Sequence, residues 1–339
     1  MKVIPFLIYM TMPFNAQAYV EEKVQFTTRD GIILTGYFTK PANSVTSPAL
    51  VIQMGSGKGT TDSATRSYNP FAEIARKVAA RGFAVLRFDK RGTGYNSSNG
   101  SFENSIFDDY VADFKAAVRY MQGRKDVSAK SLFYMSHSLG GPVIMTAAAD
   151  IPPTGIILSA SPGRRFSEYN IEQLGYLYEF GEGIEGKALL KKLEADRKFN
   201  DLLGDPEEAC RQYPERCIKE GSNIFIDGQS TGFWKEVSLL DPIALAKGLH
   251  CPIFVVNGTS DWLISSENDA KALYSSLNPN KHNRLQVIKN LDHFLSSAPS
   301  KKASVKFFLE ASQGKPATLK IHPEFIKELT KWLSTFLEK

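Results

Sequence analysis

Apolar and polar positions along the 339-residue chain change period in a regular way. From Val24 to Phe38 they alternate around Arg29-Asp30-Gly31, which predicts a β-hairpin. The run Ala49 to Gln53 reads as a buried strand and ends in a glycine-rich segment, Gly55 to Gly59. A helical period from Pro70 to Ala80 stops at Gly82, and Phe83 to Phe88 is the next strand. A helix follows over Ile106 to Met121, then a strand over Leu132 to Met135, a helix over Gly140 to Ala149 and a strand over Gly155 to Leu158. Strands that alternate with helices predict an α/β fold with a mostly parallel central sheet, because each crossover helix must bury its apolar stripe on a sheet face.

That rhythm breaks between about Ser161 and Leu249. The stretch is rich in charge and helix formers and has no clear buried strand, while Ile171, Leu174 and Leu177 share one helical face, as do Leu189, Leu190 and Leu193. The α/β pattern resumes with the strand Pro252 to Val256, a helix over Glu267 to Leu277, the strand Arg284 to Ile288 and a last amphipathic helix over Pro323 to Leu337. The predicted organisation is a core over 19–160 and 250–339, interrupted by a helical cap over 161–249.

The N-terminus does not fit the core pattern. Met1-Lys2 is followed by an apolar run of 12 residues, Val3 to Phe14, and by Ala16-Gln17-Ala18. A short cationic start, a brief apolar run and small residues one and three places before a cleavage point make a secretory signal peptide over 1–18, cut after Ala18. The run is shorter than the ~20 residues a membrane-spanning helix needs, so no stable membrane insertion is expected. Export to the periplasm or the medium gives the three cysteines a meaning. Cys210 and Cys217 can close a small disulfide loop in an oxidising compartment, with Cys251 left as a buried thiol. Zinc binding by this pair is the weaker reading, since no histidine or second cysteine pair stands at the usual spacing. The net charge of +5 is spread in isolated residues and pairs. A nucleic-acid partner, which calls for a basic stripe or patch, is therefore not expected.

Candidate chemistry centres on Ser136-His137-Ser138-Leu139-Gly140-Gly141, where a strand runs into a tight turn that opens a helix. Small residues are needed there because strand and helix approach closely, and the turn lifts the Ser138 hydroxyl towards a helix N-terminus. The segment resembles the nucleophile elbow of the α/β-hydrolase superfamily, with Ser136 where the family has its first glycine. The resemblance extends in element order over roughly residues 24 to 338, and it implies an α/β-hydrolase fold with helices on both sheet faces and an inserted cap.

A nucleophilic serine needs a base, and the chain has five histidines. His137 is in the turn itself, His250 and His282 precede strands at the opposite edge, and His322 opens the last helix. His293 follows a late strand at the edge where ligands collect in open α/β sheets, in Asn290-Leu291-Asp292-His293-Phe294, which resembles the family's histidine loop. Asp261, after Val255-Val256-Asn257-Gly258, matches the family's acid position, so the expected order is Ser138, Asp261, His293. The segment Met54-Gly55-Ser56-Gly57 resembles the family's oxyanion loop. By that match the backbone N–H groups of Ser56 and Leu139 would receive the oxyanion. The same loop fails as a phosphate loop, with Ile52 at the first glycine position, and as a dinucleotide loop, with Thr60 at the third. Asp89 to Gly94 resembles the superfamily's Asp-x-Arg-Gly-x-Gly turn, whose role there is structural. No metal-ligand cluster and no cofactor motif is seen in the sequence.

The resemblance implies a serine hydrolase, nearest to bacterial carboxylesterases, acting on a small-molecule ester through an acyl-serine intermediate. A peptidase or amidase shares the same triad, and a non-catalytic binding protein can share the fold. Leu174, Leu177, Phe180, Phe233 and Trp234 of the cap would line an acyl pocket or seat the cap on the core.

Overall fold

The structure, a computed structural model, describes residues 18–58, 68–94, 100–313, 315 and 319–337. The expected signal peptide lies almost wholly in residues 1–17, outside the described residues. The first strand, β1 (Tyr19–Thr27), pairs antiparallel with β2 (Ile33–Pro41) to make the expected hairpin. Then come β3 (Ser47–Gln53), α1 (Pro70–Ala79), β4 (Ala84–Phe88), α2 (Phe107–Gln122), β5 (Val127–His137), α3 (Gly140–Asp150) and β6 (Gly155–Ser159).

The inserted segment carries α4 (Phe166–Tyr176), extended by a π turn over Leu177–Gly181, then α5 (Gly186–Asp201) and α6 (Pro206–Gln212). After these come three short strands, β7 (Cys217–Glu220), β8 (Asn223–Ile226) and β9 (Gln229–Ser230), and the helices α7 (Thr231–Leu239) and α8 (Pro242–Lys247). The chain then returns to the sheet as β10 (Ile253–Gly258), α9 (Lys271–Ser276), β11 (Arg284–Ile288), α10 (Lys301–Ser312) and α11 (Pro323–Ser334).

The main sheet runs β1-β2-β4-β3-β5-β6-β10-β11. β2 meets β4 antiparallel, and from β4 onward all neighbours are parallel. Alternate side chains of the central strands enter two separate cores, as the two-residue period requires. Leu50, Ile52, Phe133 and Phe254 pack against α1 and α11 through Ile74, Val78, Phe325 and Trp332. Ala49, Val51, Tyr134 and Val255 pack on the other face against α2, α3, α8 and α9. This is the α/β-hydrolase architecture, with helices on both faces of a mostly parallel sheet.

The insertion has a small core of its own, formed by Phe199, Leu203, Ala209 and Ile226, beside which Cys210 and Cys217 are joined in a disulfide. Its β7-β8-β9 ribbon is absent from the sequence expectation. The strands are two to four residues long and β7 is largely exposed, so no hydrophobic alternation marks them. Helix α10 was also unforeseen, because its burial is confined to Ser304 and Val305.

Phe133 is 1% exposed and touches Phe83, Trp332 and Phe336 edge-on or tilted. Phe133→Ala should therefore lower the unfolding free energy by about 3–5 kcal/mol in a denaturant titration. A loss below about 1 kcal/mol would show that this face is not tightly packed.

Candidate active site

At the end of β5 the chain turns on Ser138, whose φ is +54°. That is the left-handed region, strained for a residue with a side chain. Backbone bonds hold it there. The Ser138 N–H donates to the Ser159 carbonyl at the end of β6 (3.0 Å), and the Gly141 N–H donates to the Ser138 carbonyl (2.9 Å). The turn also demands close approach. A Cβ on Gly140 would lie 2.6 Å from the Gln53 carbonyl oxygen, and one on Gly141 would lie 2.7 Å from the Ser161 side chain. Ser136, in place of a glycine, is fully buried with its hydroxyl 2.9 Å from that of Ser161, so its extra atoms are both packed and hydrogen-bonded.

β3 neighbours β5, and the loop after Gln53 lies directly on the turn. A Cβ on Gly55 would sit 2.6 Å from Ser138 Cβ and 3.2 Å from its Oγ. Only a glycine lets this backbone reach the hydroxyl. Two strands further along from β5, Asp261 follows β10, and His293 follows β11. Asp261 is fully buried and accepts from the N–H groups of Leu263 (2.9 Å) and Ile264 (2.8 Å), which fixes its carboxylate. Both its oxygens lie 3.1 Å from His293 Nδ1. His293 and Ser138 line one cavity of about 350 Å³. A serine hydroxyl and a carboxylate-held imidazole on one cavity are the groups that a proton relay of this kind uses.

The other candidates fall elsewhere. Asp241 caps α8 through the Ala244 N–H (3.0 Å), and His322 caps α11 through the Glu324 N–H (3.3 Å). His250 lies beside Asn278 at the far strand ends, and the His282 carbonyl accepts from the Trp332 indole. Asp292 accepts from the Ser296 N–H (2.9 Å) and from the hydroxyls of Ser296 (3.1 Å) and Ser304 (3.2 Å). Burial raises its carboxyl to about 6.

Two side chains seen in the sequence have supporting roles that it did not reveal. His137 Nε2 lies 2.7 Å from the His293 carbonyl oxygen, so this nitrogen carries the proton and donates. Burial, reinforced by His293 itself, pushes the His137 ring down to about 3 and keeps it neutral. Lys90 is buried and donates to the carbonyls of Gly55 and Gly57, the latter at 2.7 Å. Burial brings its amine down to about 7, but a neutral amine keeps two N–H groups and can still serve both carbonyls. The sequence signal was a lysine two residues after the buried strand β4. The neighbouring Arg91 anchors the same turn by a two-point pair with Asp113 (2.9 and 2.6 Å).

Ser138 lines a second cavity, of about 210 Å³, with Ser56, Leu139, Asn170, Asn200, Leu174 and Trp234. A third, of about 520 Å³, lies beyond the glycine loop over Lys90, Tyr110 and Phe233. Of the cap residues expected at a pocket, Phe233 and Trp234 line both of these and Leu174 the smaller one. Phe180 instead stacks on Tyr176, 5.7 Å between ring centroids.

The sequence profile of the family described as serine aminopeptidase, S33, matches residues 64–297, a span that holds Ser138, Asp261 and His293. The chain belongs to the S33 family. A curated relative, Esterase EstD of Thermotoga maritima, is 24% identical over 300 residues, covering 88% of this chain and 65% of that protein. The chain spans less than two thirds of the length of each curated relative it matches. Among solved structures, an esterase of Pyrococcus furiosus superposes with a TM-score of 0.57 at 14% identity, over 95% of this chain and 92% of that one. Est1E of Butyrivibrio proteoclasticus, solved with ferulic acid bound, gives 0.55 at 18%, over 86% of this chain and 100% of that one. These structures share the fold over most of the chain. Family and sheet topology together make the chain a member of the α/β-hydrolase type.

If the glycine loop must touch Ser138, Gly55→Ala should slow labelling of Ser138 by a fluorophosphonate by about a hundredfold, and Lys90→Met by about tenfold. Mass spectrometry of the labelled peptide gives the rates, with circular dichroism to check folding. Wild-type rates in a folded Gly55→Ala protein would refute this account of the loop.

Proposed function

We propose that the chain is a serine esterase that cleaves carboxylic esters of small or medium acyl groups through an acyl-Ser138 intermediate. The observation that carries this reading is the buried Asp261–His293 pair, at 3.1 Å, facing a cavity shared with Ser138. Ser138 attacks the ester carbonyl while His293 takes its proton, and Asp261 holds the ring in the right tautomer and stabilises its cation. The N–H groups of Leu139 and Ser56 receive the oxyanion. The relationship to Esterase EstD supports ester cleavage.

The family description favours a second reading, an aminopeptidase. Such an enzyme must hold its substrate's ammonium group near the scissile bond. Among the described residues, no carboxylate stands in the lining of the cavity shared by Ser138 and His293 to receive such a group, which favours the ester. We also propose that the chain is exported. The Cys210–Cys217 disulfide suits an oxidising compartment.

With p-nitrophenyl esters as substrate, Ser138→Ala and His293→Ala should each lower kcat by about 10⁵-fold or more, and Asp261→Asn by a smaller factor. Aminoacyl p-nitroanilides cleaved faster than the esters would favour the aminopeptidase. Absence of Ser138 labelling by a fluorophosphonate would leave only a binding role.

A further inference from the structure

We infer that the two cavities meeting at Ser138 divide the ester between them, with the alcohol in the aromatic cavity beside His293 and a short, oxygen-bearing acyl group in the smaller cavity under the insertion. The inference rests on the esterase reading above and names the substrate class for it.

The direction follows from where the proton must go. When the tetrahedral intermediate collapses, the bond from carbonyl carbon to alcohol oxygen breaks. That oxygen keeps the bonding electrons and takes the proton that His293 received from Ser138. Water then adds to the acyl carbon, gives its proton to His293, and the free acid leaves as Ser138 recovers its hydrogen. The departing oxygen therefore lies within reach of His293 Nε2, and His293 lines the cavity of about 350 Å³ but not that of about 210 Å³. The acyl group, still bound to Ser138 after the alcohol departs, extends the other way. The smaller cavity touches Ser138 together with both candidate oxyanion donors, Leu139 and Ser56.

The two walls differ in chemistry. Around the alcohol cavity stand Phe71, Phe294, Phe308 and Leu263, and Phe294 and Phe308 stack with centroids 5.9 Å apart. Flat apolar groups pack well against such rings. The acyl cavity has Asn170, Gln173, Asn200 and Arg216 in its lining. Most of these groups are already engaged. Gln173 donates to the Leu263 carbonyl (2.7 Å), Arg216 pairs with Asp196 (2.9 Å), and the Asn170 amide donates to Asn200 Oδ1 (3.4 Å). Asn200 Nδ2 is buried and, among the described residues, has no acceptor. Buried donors are rarely left unpaired, and an ether, hydroxyl or oxo oxygen on the acyl chain would supply the missing acceptor.

The test compares substrate ratios, so that intrinsic ester reactivity cancels between enzyme variants. p-Nitrophenyl methoxyacetate and p-nitrophenyl butyrate have acyl chains of equal length and differ by one oxygen. 1-Naphthyl butyrate and methyl butyrate differ only in the alcohol. In Asn200→Leu, and in Asn200→Ala as a smaller change, the methoxyacetate-to-butyrate ratio of kcat/KM should fall about tenfold, with the naphthyl-to-methyl ratio unmoved. Phe308→Ala should do the reverse, lowering the naphthyl-to-methyl ratio by a similar factor. Fluorophosphonate labelling of Ser138 in each variant confirms that the site is assembled. If Ser138 labels and the esters turn over, but neither ratio moves or each moves with the other residue, the division of the cavities is wrong and the esterase reading stands. If Ser138 neither labels nor turns esters over, both fall together.

Discussion

At the end of β5 the chain must reverse within one residue while staying hydrogen-bonded to the sheet. Ser138 takes the left-handed conformation to do this, and a residue with a side chain holds such a conformation only when its surroundings leave no alternative. The Ser159 carbonyl, the following helical turn and three glycine backbones packed within contact distance supply that constraint. The glycines are consequences of the reversal. Gly140 lets the helix start against the end of β3, Gly141 makes room for Ser161, and Gly55 brings a second loop onto the hydroxyl.

Around that fixed point the sheet order does the remaining positioning. β3, β5, β10 and β11 all run in one direction, so the loops that follow them emerge along a single edge. Residues more than a hundred positions apart come together there without any local sequence signal linking them. The supporting bonds are of two kinds. Backbone N–H groups of Leu263 and Ile264 hold Asp261, which then holds His293. Buried side chains, His137 and Lys90, hold the backbone of the neighbouring loops through their carbonyls.

Much of this was legible in the sequence. The strand–helix rhythm marked the central sheet, and the turn chemistry at Ser138 together with strand-end positions separated His293 and Asp261 from their rivals. Legibility failed where a segment had no periodic burial. The β7-β8-β9 ribbon is too short and exposed to alternate, and α10 buries too little to announce a helix. It also failed where a residue's role depends on a partner far along the chain. Nothing in Asp89-Lys90-Arg91 predicts that the lysine reaches carbonyls more than thirty positions earlier, and nothing near Asn200 predicts an amide without an acceptor.

The carboxylate of Asp292 is bonded both to Ser296, inside the loop that bears His293, and to Ser304, on the helix that bears Phe308. One anchor thus serves two segments that line the site. A mutation that shifts α10 to admit a bulkier molecule also tugs on the imidazole loop, so breadth of substrate and alignment of the base are mechanically yoked. The insertion joins the same linkage, because Lys301 at the start of α10 donates to the Tyr176 hydroxyl (2.8 Å), so a change of shape there reaches the anchor through the helix.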